Sequence, residues 1–146
     1  MNLHDTVAVV TGGGTGIGRA TALALARSGC RAVVVTYSRS AADAESAVAE
    51  LTAAGCEAVA ERVDVADDGR VRSTAERVRA RFGRVDVLVN NAGTTKAVPH
   101  ADLDALTDEV FHHVLDVNVV GPLRVTRAFA EDLRAARGAV VNVGSI

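Results

Sequence analysis

The sequence predicts a doubly wound α/β fold, a parallel sheet covered on both faces by helices. Three observations carry that expectation. Five short clusters rich in apolar and β-branched residues recur at Val7 to Val10, Ala32 to Val35, Ala58 to Val63, Val85 to Val89 and Ala139 to Val143. Helical patterns lie between them, and glycines stand where those helices should stop. Most of the strand runs are continuously apolar, as expected of strands buried on both faces by right-handed crossover helices.

Taken in order, "VAVVTGGGTGIGRA" runs strand, turn, helix. Gly29 ends that helix before the second strand, and Gly55 ends the next helix before the third. Val71, Ala75, Val78 and Phe82 then recur at helical spacing, with Gly83 placed for a left-handed C-cap ahead of the fourth strand. Thr94 to Ala105 reads as an irregular loop, followed by a helix that starts near Thr107. In "NVVGPLRVTRAFAEDL", Val119, Leu123, Val125, Phe129 and Leu133 have helical spacing, so a helix is expected from Asn118 to Ala136 with Pro122 inside it. Proline has no N–H, so the carbonyl left without its helical partner is that of Asn118. Either the helix kinks there, freeing that carbonyl to hold an ordered water, or it starts near Pro122 with Asn118 as a preceding turn residue.

At 146 residues, 49% hydrophobic and 23% charged, the chain suits one soluble globular domain. Its net charge is −2 and its basic residues are interspersed with acids, which argues against nucleic acid and anionic membranes as partners. No apolar run approaches the roughly 20 residues that a bilayer requires, and "MNLHDT" lacks a signal-peptide pattern, so a cytoplasmic location is expected. Cys30 and Cys56 each follow a glycine at a helix-to-strand junction and are expected to be reduced thiols. His4, His100, His112 and His113 lack metal-ligand spacing, so no metal site is expected.

Gly12, Gly16 and Gly18 give the first turn the spacing G-x-x-x-G-x-G. A tight turn, a close backbone and free N–H groups at a helix N-terminus suit a pyrophosphate, although a glycine cluster taken alone can be only a turn. "TGGGTGIG" from Thr11 to Gly18 resembles the cofactor signature of the short-chain dehydrogenase/reductase family. Three further matches follow in the family's order: "VDV" at Val63 to Val65, "NNAG" at Asn90 to Gly93, and "DVNVVG" at Asp116 to Gly121 with "VNVGS" beyond it. Together they cover nearly the whole chain.

The resemblance implies a Rossmann-like sheet with strand order 3-2-1-4-5. It implies a cofactor site of Gly12, Thr15, Gly16, Ile17 and Gly18 around the pyrophosphate, Asp64 and Val65 at the adenine, and Asn91, Ala92 and Gly93 as the floor. It also implies catalytic roles for Asn118, whose backbone would carry a relay water, and for Ser145, which would bind the substrate oxygen. At the end of the second strand Tyr37 stands where an acid would hold the ribose of NAD(H), and Ser38 and Arg39 follow, a suitable pair for a 2′-phosphate. NADP(H) is therefore expected over NAD(H), although Thr15 is not the basic residue that many NADP-binding relatives carry.

The implied reaction interconverts an alcohol and a ketone on a small-molecule substrate. It also calls for a Tyr-x-x-x-Lys pair, which should follow Ser145 by about a dozen residues. The chain's one tyrosine is Tyr37 and its one lysine Lys96, so this chain alone is not expected to turn over. In the implied order, the fifth strand would present Val140, Val141 and Val143 on an unpaired edge. Residues 1–146 are accordingly expected to be one dinucleotide-binding domain, incomplete at its C-terminus. A complementary C-terminal chain, an ordinary enzyme of which this is a part, and a non-catalytic nucleotide-binding or interaction module all remain open. The family's pairing through long helices further implies a homo-oligomer.

Overall fold

The structure is a computed structural model, and it describes residues 2–144. Its strands are β1 (Val7–Val10), β2 (Ala32–Tyr37), β3 (Glu57–Arg62), β4 (Val87–Asn90) and β5 (Ala139–Asn142). They form one sheet in the order β3-β2-β1-β4-β5, with every neighbouring pair parallel. The helices are α1 (Gly16–Arg27), α2 (Ala41–Ala53), α3 (Asp68–Phe82), α4 (Asp108–Leu115), α5 (Gly121–Ala128) and α6 (Ala130–Ala136), with a π-helical segment, Asp116–Val120, between α4 and α5.

Side-chain alternation along the strands divides the core in two. Ala8, Val10, Val33, Val35, Val87 and Val89 pack with Ala22 and Ala26 of α1 and Leu51 of α2. Val7, Val9, Ala32, Val34 and Leu88 pack on the opposite face with Val71, Ala75 and Val78 of α3, Val125 of α5, and Phe129 and Leu133. A central strand feeding two cores cannot carry a polar face, which is why "VAVV" and "AVVV" read as continuous apolar runs.

Helix ends follow the local chemistry. Gly29, Gly55 and Gly83 follow α1, α2 and α3 with φ of 94°, 83° and 74°. After α1 the Gly29 and Cys30 N–H groups turn back to the Ala26 and Leu25 carbonyls, and Gly55 and Cys56 do the same to Thr52 and Leu51. Both cysteines are buried free thiols, and burial pushes their pKa values up. Asp67 caps α3 by accepting from the Arg70 N–H at 3.0 Å, and Thr107 caps α4 by accepting from the Val110 N–H at 3.4 Å.

The strand ends differ from the expected ones by a residue or two. β3 begins at Glu57 and β4 at Val87, while Val85 is fully buried ahead of the ladder. Between them Asp86, also buried, accepts from the Val7 N–H at 2.9 Å and from the Arg84 guanidinium, tying the start of β1 to the start of β4.

The larger correction concerns the helix expected from Asn118. It is continuous with the helix expected near Thr107, which starts at Asp108 and runs on through Asp116–Val120, and this removes the alternative of a helix starting near Pro122. The chain accommodates Pro122 by a π turn, in which the Gly121 N–H reaches back five residues to the Asp116 carbonyl. At Phe129, a buried residue with φ −102° and ψ 6°, the helix breaks into α5 and α6. Arg79 of α3 binds both carboxylate oxygens of the buried Asp132, at 2.9 and 2.7 Å, and so holds α6 against that face.

Candidate functional site

At the carboxyl edge of the sheet, the turn leaving β1 and the turn leaving β4 are bonded directly to each other. Thr11 Oγ1 accepts from the Asn91 and Ala92 N–H groups at 2.9 and 3.0 Å, and the Asn91 Nδ2 donates to the Thr11 and Gly12 carbonyls at 3.0 and 3.2 Å. The Gly13 N–H donates to the Thr36 carbonyl at 3.1 Å, which joins β2 to the same structure. β1 is the strand from which the order departs in both directions, so these bonds fix the crevice at the topological switch point of the sheet, where open α/β folds hold ligands.

A cleft of about 800 Å³ opens there. Gly12, Thr15, Gly16 and Ile17 line it from the first turn, Ser38 and Arg39 from the end of β2, Asp64 and Val65 from beyond β3, and Asn91, Ala92 and Gly93 from beyond β4. Eleven of the twelve residues expected around a cofactor therefore share one cavity. Gly18 does not line it. A Cβ on Gly18 would overlap the Gly12 carbonyl oxygen and the Asn91 side-chain amide, so this glycine lets α1 sit close beneath the turn. Gly16, by contrast, has φ 51°, and a Cβ there would meet nothing within 4 Å, projecting into open space.

The first turn of α1 carries no acidic residue, and its first backbone bond runs from the Arg19 N–H to the Thr15 carbonyl at 3.0 Å. The N–H groups ahead of Arg19 are left for an acceptor outside the helix. Arg19 itself is turned away and paired with Glu50. At the far end of the cleft Asp64 accepts from the Ala66 N–H at 3.0 Å through Oδ1, which leaves Oδ2 for another donor. Val65 is buried beside it against Gly121, where no side chain larger than hydrogen fits.

Asn118 stands in the π turn and faces the loop after β4. Its Nδ2 donates to the Thr94 carbonyl at 2.8 Å, and its Oδ1 accepts from the Thr94 N–H at 2.8 Å. This reciprocal pair clamps the long helix to the loop that forms the cleft wall. Ser145 lies outside the described residues. Sequence reading passed over Thr11, Ser40, Asp43, Arg62, Thr94 and His113, of which all but Thr11 line the cleft. For Thr11 and Thr94 the signal was their place inside or next to a motif already noted. For Arg62 it was strand register.

A crevice of this size, with glycine-lined backbone and an acid-free helix N-terminus at its centre, fits a dinucleotide with its pyrophosphate at α1. Fold and crevice together define a nucleotide-binding α/β protein. The chain belongs to the short-chain dehydrogenase/reductase family, whose model, described as short chain dehydrogenase, matches residues 6–146. A 3-oxoacyl-(acyl-carrier-protein) reductase of Synechocystis sp. is 40% identical over 145 residues, covering 99% of this chain and 57% of the relative. The solved short-chain dehydrogenase of Burkholderia cenocepacia in complex with NADP is 40% identical with a TM-score of 0.90, covering 99% of this chain and 57% of that one. An NAD+-bound xylitol dehydrogenase is 33% identical with a TM-score of 0.88, covering 99% and 55%. The chain thus spans a little over half the length of each of these relatives.

Proposed function

We propose that residues 1–146 form the dinucleotide-binding domain of an oxidoreductase that uses NADP(H) to interconvert an alcohol and a ketone on a small molecule. The observation that carries this reading is the single cleft at the switch point, which gathers Gly12, Gly16, Arg39, Asp64 and the loop from Asn91 to Gly93. The NADP complex of the Burkholderia relative supports the choice of cofactor.

In this mechanism the backbone N–H groups at the start of α1 bind the pyrophosphate, Asp64 Oδ2 accepts from the adenine amino group, and Ser38 and Arg39 bind the 2′-phosphate. When bound, the nicotinamide supplies or accepts the hydride. Ser145 holds the substrate oxygen, and the backbone of Asn118 holds a water of the proton relay while its side chain fixes Thr94. The general acid is a tyrosine of a Tyr-x-x-x-Lys pair on polypeptide beyond these residues. That polypeptide packs along β5, whose Val140, Val141 and Val143 are 40%, 49% and 38% exposed. Phe111, Leu115, Val119 and Leu123, exposed at a spacing of four along one helix, support pairing of subunits through that helix. We place the protein in the cytoplasm; no helix among the described residues is long and apolar enough to cross a membrane.

The test is consumption of NADPH by the full protein on a panel of ketones, with Ser145→Ala as the diagnostic variant. The expected result is turnover that falls by roughly 10²- to 10⁴-fold in kcat in the variant, with NADPH affinity unchanged. Full activity of the variant contradicts the role of Ser145, and NADPH binding with no turnover on any ketone contradicts the reaction.

A further inference from the structure

We propose that Arg62, at the end of β3, is a second cation for the 2′-phosphate of NADP(H), acting with Arg39 to set the preference for NADP(H) over NAD(H). This rests on the nucleotide reading above.

Three arginines line the cleft: Arg39, Arg62 and Arg70. Among the described residues ten arginines are tied to carboxylates, Arg70 through Asp67 at 3.2 Å. Arg39 and Arg62 are engaged by no carboxylate among the described residues. The cleft therefore offers two free guanidiniums, the group best shaped to bind phosphate oxygens in pairs.

Strand register places Arg62, and the path of the chain from β2 into α2 places Arg39. Arg62 lies directly opposite Tyr37 in the β2–β3 ladder, two residues before Arg39. Neighbouring strand residues point to opposite faces, and Glu61 points toward α3, where it binds Arg77 at 2.7 Å. Arg62 therefore points to the other face, shared by Val33, Val35 and Leu51 of α2. Arg39 precedes the first turn of α2 on that same face.

Charge balance gives the second cation its role. Asp43, which accepts from the Ser40 hydroxyl, and Asp64 also line this part of the cleft and oppose a phosphate. Arg70 and Asp67 cancel. With Arg39 alone the rim carries one more acid than base, a poor site for a phosphate dianion. Arg62 brings the balance to neutral.

The experiment measures NADP+ and NAD+ affinities by calorimetry on the full protein and its Arg62→Gln and Arg62→Lys variants. The expected result is that Arg62→Gln weakens NADP+ about tenfold or more while NAD+ changes less than about twofold, and that Arg62→Lys recovers part of the loss. Retained NAD+ affinity also shows that the variant is folded. Equal weakening of both nucleotides, no change in either, or a wild type that prefers NAD+ overturns the role of Arg62 and leaves the nucleotide site standing. A wild type that binds neither nucleotide overturns both.

Discussion

Gly18 sets how closely α1 approaches the turn that precedes it, because a side chain there would overlap the Gly12 carbonyl and the amide by which Asn91 holds that turn. Neither obstacle is the free end of a flexible chain. Gly18→Ala should therefore cost about 1–3 kcal/mol of stability and weaken nucleotide binding, read by denaturant unfolding and calorimetry. Unchanged stability would mean that the turn yields more easily than its bonds imply. At this scale the glycines were legible because no other residue meets their demands. Thr11 and Asn118 were less so. Thr11 works through N–H groups eighty residues away, and the side chain of Asn118 closes on Thr94, contacts that periodicity along the chain does not encode. Arg62 was hidden for a similar reason, since its place in the cleft depends on which residue of β2 lies opposite.

The secondary-structure elements were legible where they feed the core. α3 was readable from Val71, Ala75, Val78 and Phe82, all of them buried, and from Gly83 behind them. The start of α4 was readable near Thr107, which caps it, but its continuation was not: it buries no residue, and its Phe111 and Leu115 face outward and leave no core stripe to join it to the helix that follows. The proline was correctly a disturbance in the long helix, but proline marks only a missing N–H, and whether the chain stops or inserts a π turn is decided by what packs around it. At the end of α6, Arg137 adopts the left-handed conformation with φ 51°, for which α1, α2 and α3 use glycine. A side chain costs about 1–2 kcal/mol there, against about 0.4–1 kcal/mol that glycine loses through the freedom of the unfolded chain. Arg137→Gly should therefore stabilise the protein by roughly 0.5–1 kcal/mol, seen as a higher midpoint of urea unfolding; a lower midpoint would show that the arginine side chain makes a compensating contact.

Across the whole molecule, alternating strands and helices implied a parallel sheet, but periodicity alone does not order the strands. The order came with the motif resemblance, and the structure has it: β1 at the centre, with chain crossing to β2 on one side and to β4 on the other. That topology places the glycine turn, the end of β2, the segment after β3 and the "NNAG" loop around one crevice, although they are spread over some eighty residues of sequence. The central claim is that this crevice seats a pyrophosphate at the start of α1, against backbone that only glycine leaves bare. Calorimetric titration of NADP+ into the full protein and into Gly16→Val, with urea unfolding of both to account for the strain of a side chain at φ 51°, tests it most directly, because Gly16 lines the cleft and a Cβ there would meet no protein atom within 4 Å. Saturable binding by the wild type and none by the variant is the predicted result. Equal affinity in the two would contradict it.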